Sequence, residues 1–464
     1  MQVPLFGIGQ RSKSPMVSSQ ERINLYAEQP SDGERTNFVL YPTPGLIQRL
    51  DLGGAAIRGG YGLGDYLYLV HGSTVYRVDA SWTATSLGSI NTTAGRVSMK
   101  DNGAEIIILD GTNGYIVTIS SGGIAEITDS EFPDAALTCT YSDGVFIVDA
   151  GPTSQRFYLS GDGVGTTWDS LDYDSADSNP DSLVRVVADH GELITLSQFS
   201  TEFWGYSGAT DFPYSRLTSI EWGLAARWSL APFKSSLIFL AQNKMGQVQP
   251  VLLNGYVPEP ISTPELDAII NRYTTVSDAT GYSYLHDGHP MYVLSFPAER
   301  KTWLFDGLTR LWSELKSGTG RHRSDLGFQW NGKSYVTDYN SGKVYELSGT
   351  TYTDNGARVT RQVVSRHILK DGEYFSVDEL WVDMEPGVGL ASGPGSDPQV
   401  MLQVSRDGGH SFGNELWRSI GKVGEYNARA IWRAPCGVCR DFVAKLTVTD
   451  PVQTVFLGGF MRIS

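Results

Sequence analysis

Between Ala188 and Gly208 the chain reads ADHGELITLSQFSTEFWGYSG. His190-Gly191 opens a turn, Leu193, Ile194 and Leu196 form one apolar run, Gln198 to Thr201 interrupt it, and Phe203, Trp204 and Tyr206 form a second. Two short apolar runs punctuated by glycine and small polar residues predict a β-hairpin. A lone hairpin cannot bury its own apolar face, so neighbours must cover it. The same grammar recurs at six other places, marked by Gly64, Gly103, Gly144, Ser235, Gly288 and Gly332. With Gly191 included, successive markers are 39, 41, 47, 44, 53 and 44 residues apart. A period of this size, with two clear strands per unit and room for two more, predicts the blades of a β-propeller. Helical solenoids have comparable periods but would show a 3.6-residue rhythm, which is absent. The competing arrangement is a series of unrelated hairpins in two β-sandwiches.

The rhythm breaks in three places. Residues 1–50 hold Pro4, Pro15, Pro30, Pro42 and Pro44 and the polar stretch SDGERTN, but also Ile23, Leu25, Tyr26, Phe38, Leu40 and Tyr41. Proline fixes φ and withholds a donor, so this segment is expected to run extended and to bury its apolar residues against another domain or subunit. Inside the 53-residue spacing, Ser262-Thr263-Pro264-Glu265 offers a capping box from Ser262, and Leu266, Ile269, Ile270 and Tyr273 share one helical face, predicting an inserted helix near 263–273. After about residue 350 longer alternating strands take over, joined by the glycine-rich loop GVGLASGPGSDP at 387–398. The expectation is an all-β chain: an N-terminal arm (1–50), a propeller of six or seven blades (51–350) and a C-terminal antiparallel, sandwich-like β-domain (351–464) that packs with the arm as a platform.

Composition narrows function. Among 464 residues, 52 glycines and 11% aromatics suit a turn-rich β-protein with a sizeable core. A net charge of −15 argues against gripping nucleic acid by phosphate neutralisation, so DNA near this chain is expected to be guided, not held. Three cysteines make no disulfide framework, no secretory leader or membrane-spanning run is seen, and synthesis in the cytoplasm is expected.

Candidate chemistry is sparse. LDYDSADSNPD carries Asp172, Asp174, Asp177 and Asp181 and invites calcium, but its spacing departs from an EF-hand loop, so a solvated acidic loop is expected. Ser405-Arg-Asp-Gly-Gly-His-Ser-Phe412 resembles an Asp-box, in which the aspartate shapes a hairpin turn and does no catalysis; Ser160 to Trp168 is a looser match. Cys436-Gly-Val-Cys439 has no second ligand pair for zinc and no thioredoxin-like setting, and reads as two cysteines in a β-turn. Of seven histidines only His286 and His289 are close, and Gly59-Gly-Tyr-Gly-Leu-Gly64 reads as a strand-connecting loop, not a dinucleotide fingerprint. No catalytic residue, cofactor or metal is assigned.

Several stretches together, in order along nearly the whole chain, resemble the packaged-DNA stabilisation proteins of short-tailed phages, also called tail nozzle or hub proteins. They are Glu21-Arg-Ile-Asn-Leu-Tyr-Ala-Glu28 with Tyr41-Pro-Thr-Pro-Gly-Leu46, Ser175 to Asp181 followed by Ser200-Thr-Glu-Phe-Trp204, Ile269-Ile-Asn-Arg-Tyr273, and Arg429-Ala-Ile-Trp432 through Leu446-Thr-Val-Thr-Asp450. The resemblance implies a virion tail protein with no catalytic residues, assembled as a homohexamer below the portal and its adaptor, the head-to-tail connector. It also implies contacts with tail spikes, fibres or a tail needle, retention of packaged DNA, and a channel for DNA exit without sequence-specific binding. The glycine-rich loop at 387–398 and the Asp-box-like turn depart from the best-known members and leave the peripheral partners open. The alternatives are a glycan-binding or sialidase-like propeller, and a monomeric cytoplasmic scaffold.

Overall fold

A computed structural model describes residues 5–7, 9–30 and 38–464; the stretch SDGERTN of the expected arm lies outside the described residues. The recurring markers are hairpin turns. Each stands between the first and second strands of a sheet, as between Leu183–Asp189 and Glu192–Ser197 or between Ser324–Trp330 and Lys333–Asp338. Gly144, Gly191, Gly288 and Gly332 have φ of 92°, 78°, 82° and 70°, and the residues before them, Asp143, His190, Asp287 and Asn331, are also left-handed. Two consecutive positive φ values match the right-handed twist of a tight hairpin, and glycine takes the second without a Cβ clash. In the fifth unit the left-handed residue is Lys234 (φ 55°), one position before Ser235, which is why a serine suffices there.

Seven antiparallel sheets follow from the seven turns among the described residues, so the blade number, expected as six or seven, is seven. Blades one to five span Ile57–Ser89, Ser98–Glu126, Cys139–Ser175, Leu183–Ile220 and Gly223–Pro260, blade six runs from Thr280 to Glu314, and blade seven starts with Ser324–Trp330, Lys333–Asp338 and Lys343–Ser348. A distinct buried cluster fills each gap between successive blades, and Ile57, Leu67, Leu69 and Val78 of blade one meet Trp330, Tyr335 and Val344 of blade seven, so the ring is closed. The stretch Gly59 to Gly64, expected as a loop, is instead mostly the first strand of blade one, Ile57–Leu63. Its glycines answer to close packing, since a Cβ on Gly62 would lie 2.3 Å from the Gln329 carbonyl oxygen of blade seven. The inserted helix α1 (Pro264–Ile270) buries Leu266 and Ile270 between blades five and six. Its cap is Thr263, whose Oγ1 accepts from the Leu266 amide at 3.3 Å, and not Ser262 as the capping-box spacing predicts.

The first fifty residues are built into everything else. β1 (Glu21–Ile23) pairs in parallel with Leu311–Glu314 of blade six and antiparallel with Arg361–Val364 of the C-terminal domain. β2 (Leu25–Glu28) and β3 (Val39–Pro42) join the sheet completed by Phe456–Ile463, Phe375–Met384 and Ala430–Cys439. β4 (Gly45–Asp51) is the fourth strand of blade seven, paired with Lys343–Ser348, so the ring is locked by strands nearly 300 residues apart in sequence. The C-terminal domain is a two-sheet sandwich whose core includes Leu5, Phe6, Leu25 and Leu40 as well as Leu380, Leu402, Trp432 and Phe456.

Leu46 on β4 is buried among Tyr26, Tyr282, Val293, Val336 and Tyr345, between blades six and seven. Leu46→Ala should destabilise the protein by about 2–4 kcal/mol, the cost of a core cavity, measured by urea unfolding.

Candidate assembly surface

The tie between propeller and sandwich is polar and buried. The Arg22 guanidinium, 4% exposed, donates to the carbonyl oxygens of Gly7 (2.8 Å), Gly9 (3.2 Å) and Trp312 (3.0 Å), so one side chain fastens Gly7 and Gly9 to blade six. Burial lowers its pKa to about 10, which leaves it charged at neutral pH. Asn24 follows with φ of 53°, a left-handed turn that asparagine tolerates better than most residues, and steers the chain from one sandwich sheet into the other. Its Nδ2 donates to the carbonyl oxygens of Lys316 (3.0 Å) and Thr360 (2.8 Å), and its Oδ1 accepts from the Lys316 amide (2.8 Å). Tyr26 packs between Tyr41, 5.8 Å away, and the edges of His286 and His289, 5.5 and 5.0 Å away. The paired histidines therefore face an aromatic ring; His289 Nδ1 bonds Asp306 at 2.9 Å, and desolvation lowers the pKa of His286.

The other sequence candidates are scattered and structural. Asp172 and Asp174 lie in the strand Trp168–Ser175, Asp177 pairs with Arg216 at 2.8 Å, and Asp181 is buried, accepting from the Phe199 amide at 2.6 Å and from Ser200. The expected solvated loop is thus a strand end plus a turn clamp, because Asp181 caps the 198–200 turn that it precedes in sequence. Among the described residues no group of three or more His, Cys, Asp or Glu side chains could hold a metal. Asp407 does shape its hairpin, accepting from the amides of His410 (3.1 Å) and Ser411 (2.9 Å) and from the Ser405 and Ser411 hydroxyls, which together hold its carboxyl far below the usual range. Cys436 and Cys439 sit on the strand Ala430–Cys439 where its pairing with Phe375–Met384 slips register, not in a turn; burial pushes Cys439 up to about 12, so both stay thiols.

What the sequence reading missed is the sandwich's outer end. One sheet runs on into the propeller through β1, whereas at the far end both sheets stop at edge strands, Leu416–Ser419 and Ala430–Cys439. Side chains tie these edges together: Trp432 Nε1 donates to the Leu416 carbonyl oxygen and Arg418 Nε to that of Ile431, each at 2.8 Å. Beyond them stand Leu416, Trp417 (51% exposed), Val423 (62%) and Tyr426 (72%), and the 387–398 loop packs its Gly387 and Gly389 against Tyr426 and Val423. Exposed aromatics beside an unpaired strand edge make an association surface.

Charge is divided as sharply as shape. Residues 360–464 hold 11 Lys and Arg against 12 Asp and Glu, a net −1, which leaves −14 of the −15 to residues 1–359. Within these, residues 98–220, blades two to four, carry 19 acidic and 4 basic residues. The sandwich can meet a like surface without strong repulsion; those blades cannot.

A family model described as bacteriophage P22 Gp10, beta-propeller, matches residues 1–352, and one described as bacteriophage P22 Gp10, beta-sandwich, matches residues 360–464. The tail hub protein gp10 of Salmonella phage P22 is 22% identical over 499 residues, spanning 100% of this chain and 99% of that protein. Similar solved structures include the Neurospora crassa Pan2 WD40 domain (TM-score 0.44, 9% identity, 66% of this chain and 95% of that one) and the N-terminal domain of Nup159 (TM-score 0.42, 9% identity, 71% and 99%).

Asn24→Ala should cost about 2–4 kcal/mol, since it leaves three backbone groups of the junction without partners and puts a residue with no local polar contact at positive φ; thermal unfolding of the full chain measures this. For Asp407 the folded pKa is depressed, so its contribution is complete above the unfolded value near pH 4 and fades as pH falls below it. The Tm difference between wild type and Asp407→Asn should be widest at pH 7 and narrow below about pH 4.

Proposed function

This chain belongs to the family of bacteriophage P22 Gp10 tail hub proteins, and on that footing we propose that it is a structural component of a phage tail, forming a homohexameric ring below the portal and adaptor that retains packaged DNA and gives it a channel out. The observation that carries this reading is the match of both family models, propeller and sandwich, in order along the chain. The molecule suits the role physically. A closed propeller shows few sheet edges for random pairing, and its fastening to the sandwich makes a stiff block from which a ring can be laid. The near-neutral sandwich end with Trp417 and Tyr426 supplies the contact between copies, and the acidic blades repel both one another and passing phosphates, so DNA slides without being clasped. Tail spikes, fibres or a needle, and the adaptor, meet the remaining surfaces. Synthesis in the host cytoplasm fits three free thiols. Among the described residues no helix is long and apolar enough to cross a membrane. No catalytic step belongs to this role.

The test is the mass of the particle and the residues that hold it. Light scattering behind size exclusion, with and without adaptor rings, should give a six-copy ring for the wild-type chain. The pair Trp417→Glu and Tyr426→Glu should reduce it to monomers while leaving Tm within about 2 °C, since exposed substitutions alter stability little. A wild-type chain that stays monomeric with adaptor present would contradict the ring, and rings that survive both substitutions would move the contact elsewhere.

A further inference from the structure

At the axis of the propeller lies a partly open cavity of about 410 Å³, walled by strands and linkers of six blades and including Tyr61, Arg96, Arg185, Trp228, Tyr282 and Phe328. In an acidic chain this wall is basic. Arg96 and Arg185 both lie against the Trp228 ring, 5.8 and 5.9 Å from its centroid, so two like charges share one indole. Arg96 has a counter-ion: its Nη2 reaches the Asp325 carboxylate at 2.9 Å and the Asp325 carbonyl oxygen at 3.3 Å. Arg185 has none. Only its Nη1 is used, on the carbonyl oxygens of Arg227 (2.9 Å) and Leu230 (3.4 Å), and its Nε and Nη2 meet no acceptor among the described residues. Arg227, behind it, gives its Nε to the Val184 carbonyl oxygen at 2.7 Å. The nearby carboxylate of Asp149 is already saturated by the amides of Leu137, Thr138 and Gly151 and the Thr138 hydroxyl.

Two guanidiniums, Arg96 and Arg185, therefore line a cavity beside which the Asp325 carboxylate is already taken by Arg96. Desolvation, and then the neighbouring arginines, hold Arg185 down to about 10, the mark of a cation short of an anion. An unpaired charge taken out of water is costly, and a bound anion removes that cost. Planar guanidinium forks with free N–H groups suit tetrahedral or planar oxygens, and the indole fixes both forks in place.

We propose that the propeller axis is a binding site for a phosphate-class oxyanion, held by Arg96 and Arg185 against Trp228. The anion can come as free phosphate or as the terminal phosphate of a nucleotide, and both present the same group to the same forks. This site does not depend on the tail-hub reading and would stand or fall separately from it.

The experiment is calorimetric titration of the full chain with inorganic phosphate and, in a parallel arm, with thymidine 5′-monophosphate, chloride replacing phosphate in the ionic-strength control. One binding event per chain is expected, weakened about tenfold or more by Arg185→Gln and by Arg96→Gln, the scale of losing one charge-assisted bidentate contact. Tighter binding of the nucleotide than of phosphate would identify the nucleotide as the source, and equal affinity the free anion. No heat beyond the chloride control, or equal affinity in wild type and both variants, would overturn the site. Should Arg185→Gln not fold, Arg96→Gln decides alone, because Arg96 keeps its fold-side partner only through Asp325 at the cavity rim.

Discussion

The backbone hydrogen bonds of Glu21–Ile23 are the constraint on which the rest of the structure depends. One edge of this three-residue strand belongs to blade six and the other to the sandwich, so a single sheet runs from the propeller into the C-terminal domain. Hydrogen-bonded strands cannot slide or hinge without breaking several bonds at once, and here the side chains of Arg22 and Asn24 add bonds to the carbonyl oxygens of Gly7, Trp312, Lys316 and Thr360. From Gly45 onward the same N-terminal region closes the propeller through β4. Arm, ring and sandwich thus share their folding energy, and a push on one domain is delivered to the other without a loose joint.

Stiffness of this kind suits the proposed ring, and the charge distribution complements it. The sandwich end presents exposed aromatic residues on a nearly neutral domain, while the negative charge is gathered on blades two to four. In the proposed ring, attraction at one end and repulsion at the other would favour a single orientation of neighbouring copies. The basic axis of the propeller stands apart from this scheme, being lined from within the monomer.

Much of the fold was legible because its repeat is written in local rules. Hairpin turns require left-handed residues, and these surface at six of the seven markers and one position before the seventh, Ser235; helix α1 shows through its i, i+3, i+4 spacing. What escaped reading depends on partners far away in sequence. β4 alternates like any strand, and nothing within it says that its mate is Lys343–Ser348. The glycines from Gly59 to Gly62 mimic a loop because close packing against blade seven and a flexible turn both select glycine. Asp181 looked solvated in a run of aspartates, yet folding carries it onto Ser200. The motifs Glu21 to Glu28 and Ser175 to Asp181 with Ser200 to Trp204, which carried the family resemblance, prove to be the junction and a turn clamp, so the likeness lay in residues that hold the fold together. The arginines of the axis did leave a trace: Arg96, Arg185 and Arg227 each fall at or beside the entry to a blade's first strands, a repeat visible only once blade boundaries are known.

Amide hydrogen exchange across the junction tests the shared sheet most directly. If the strand is the structural tie described, the amides of Glu21–Ile23 exchange as slowly as those of Leu311–Glu314 and Arg361–Val364 and are released in the same cooperative opening. Rapid exchange at Glu21–Ile23 while both neighbouring strands stay protected would show two separately folded bodies joined by a tether, and would contradict the account.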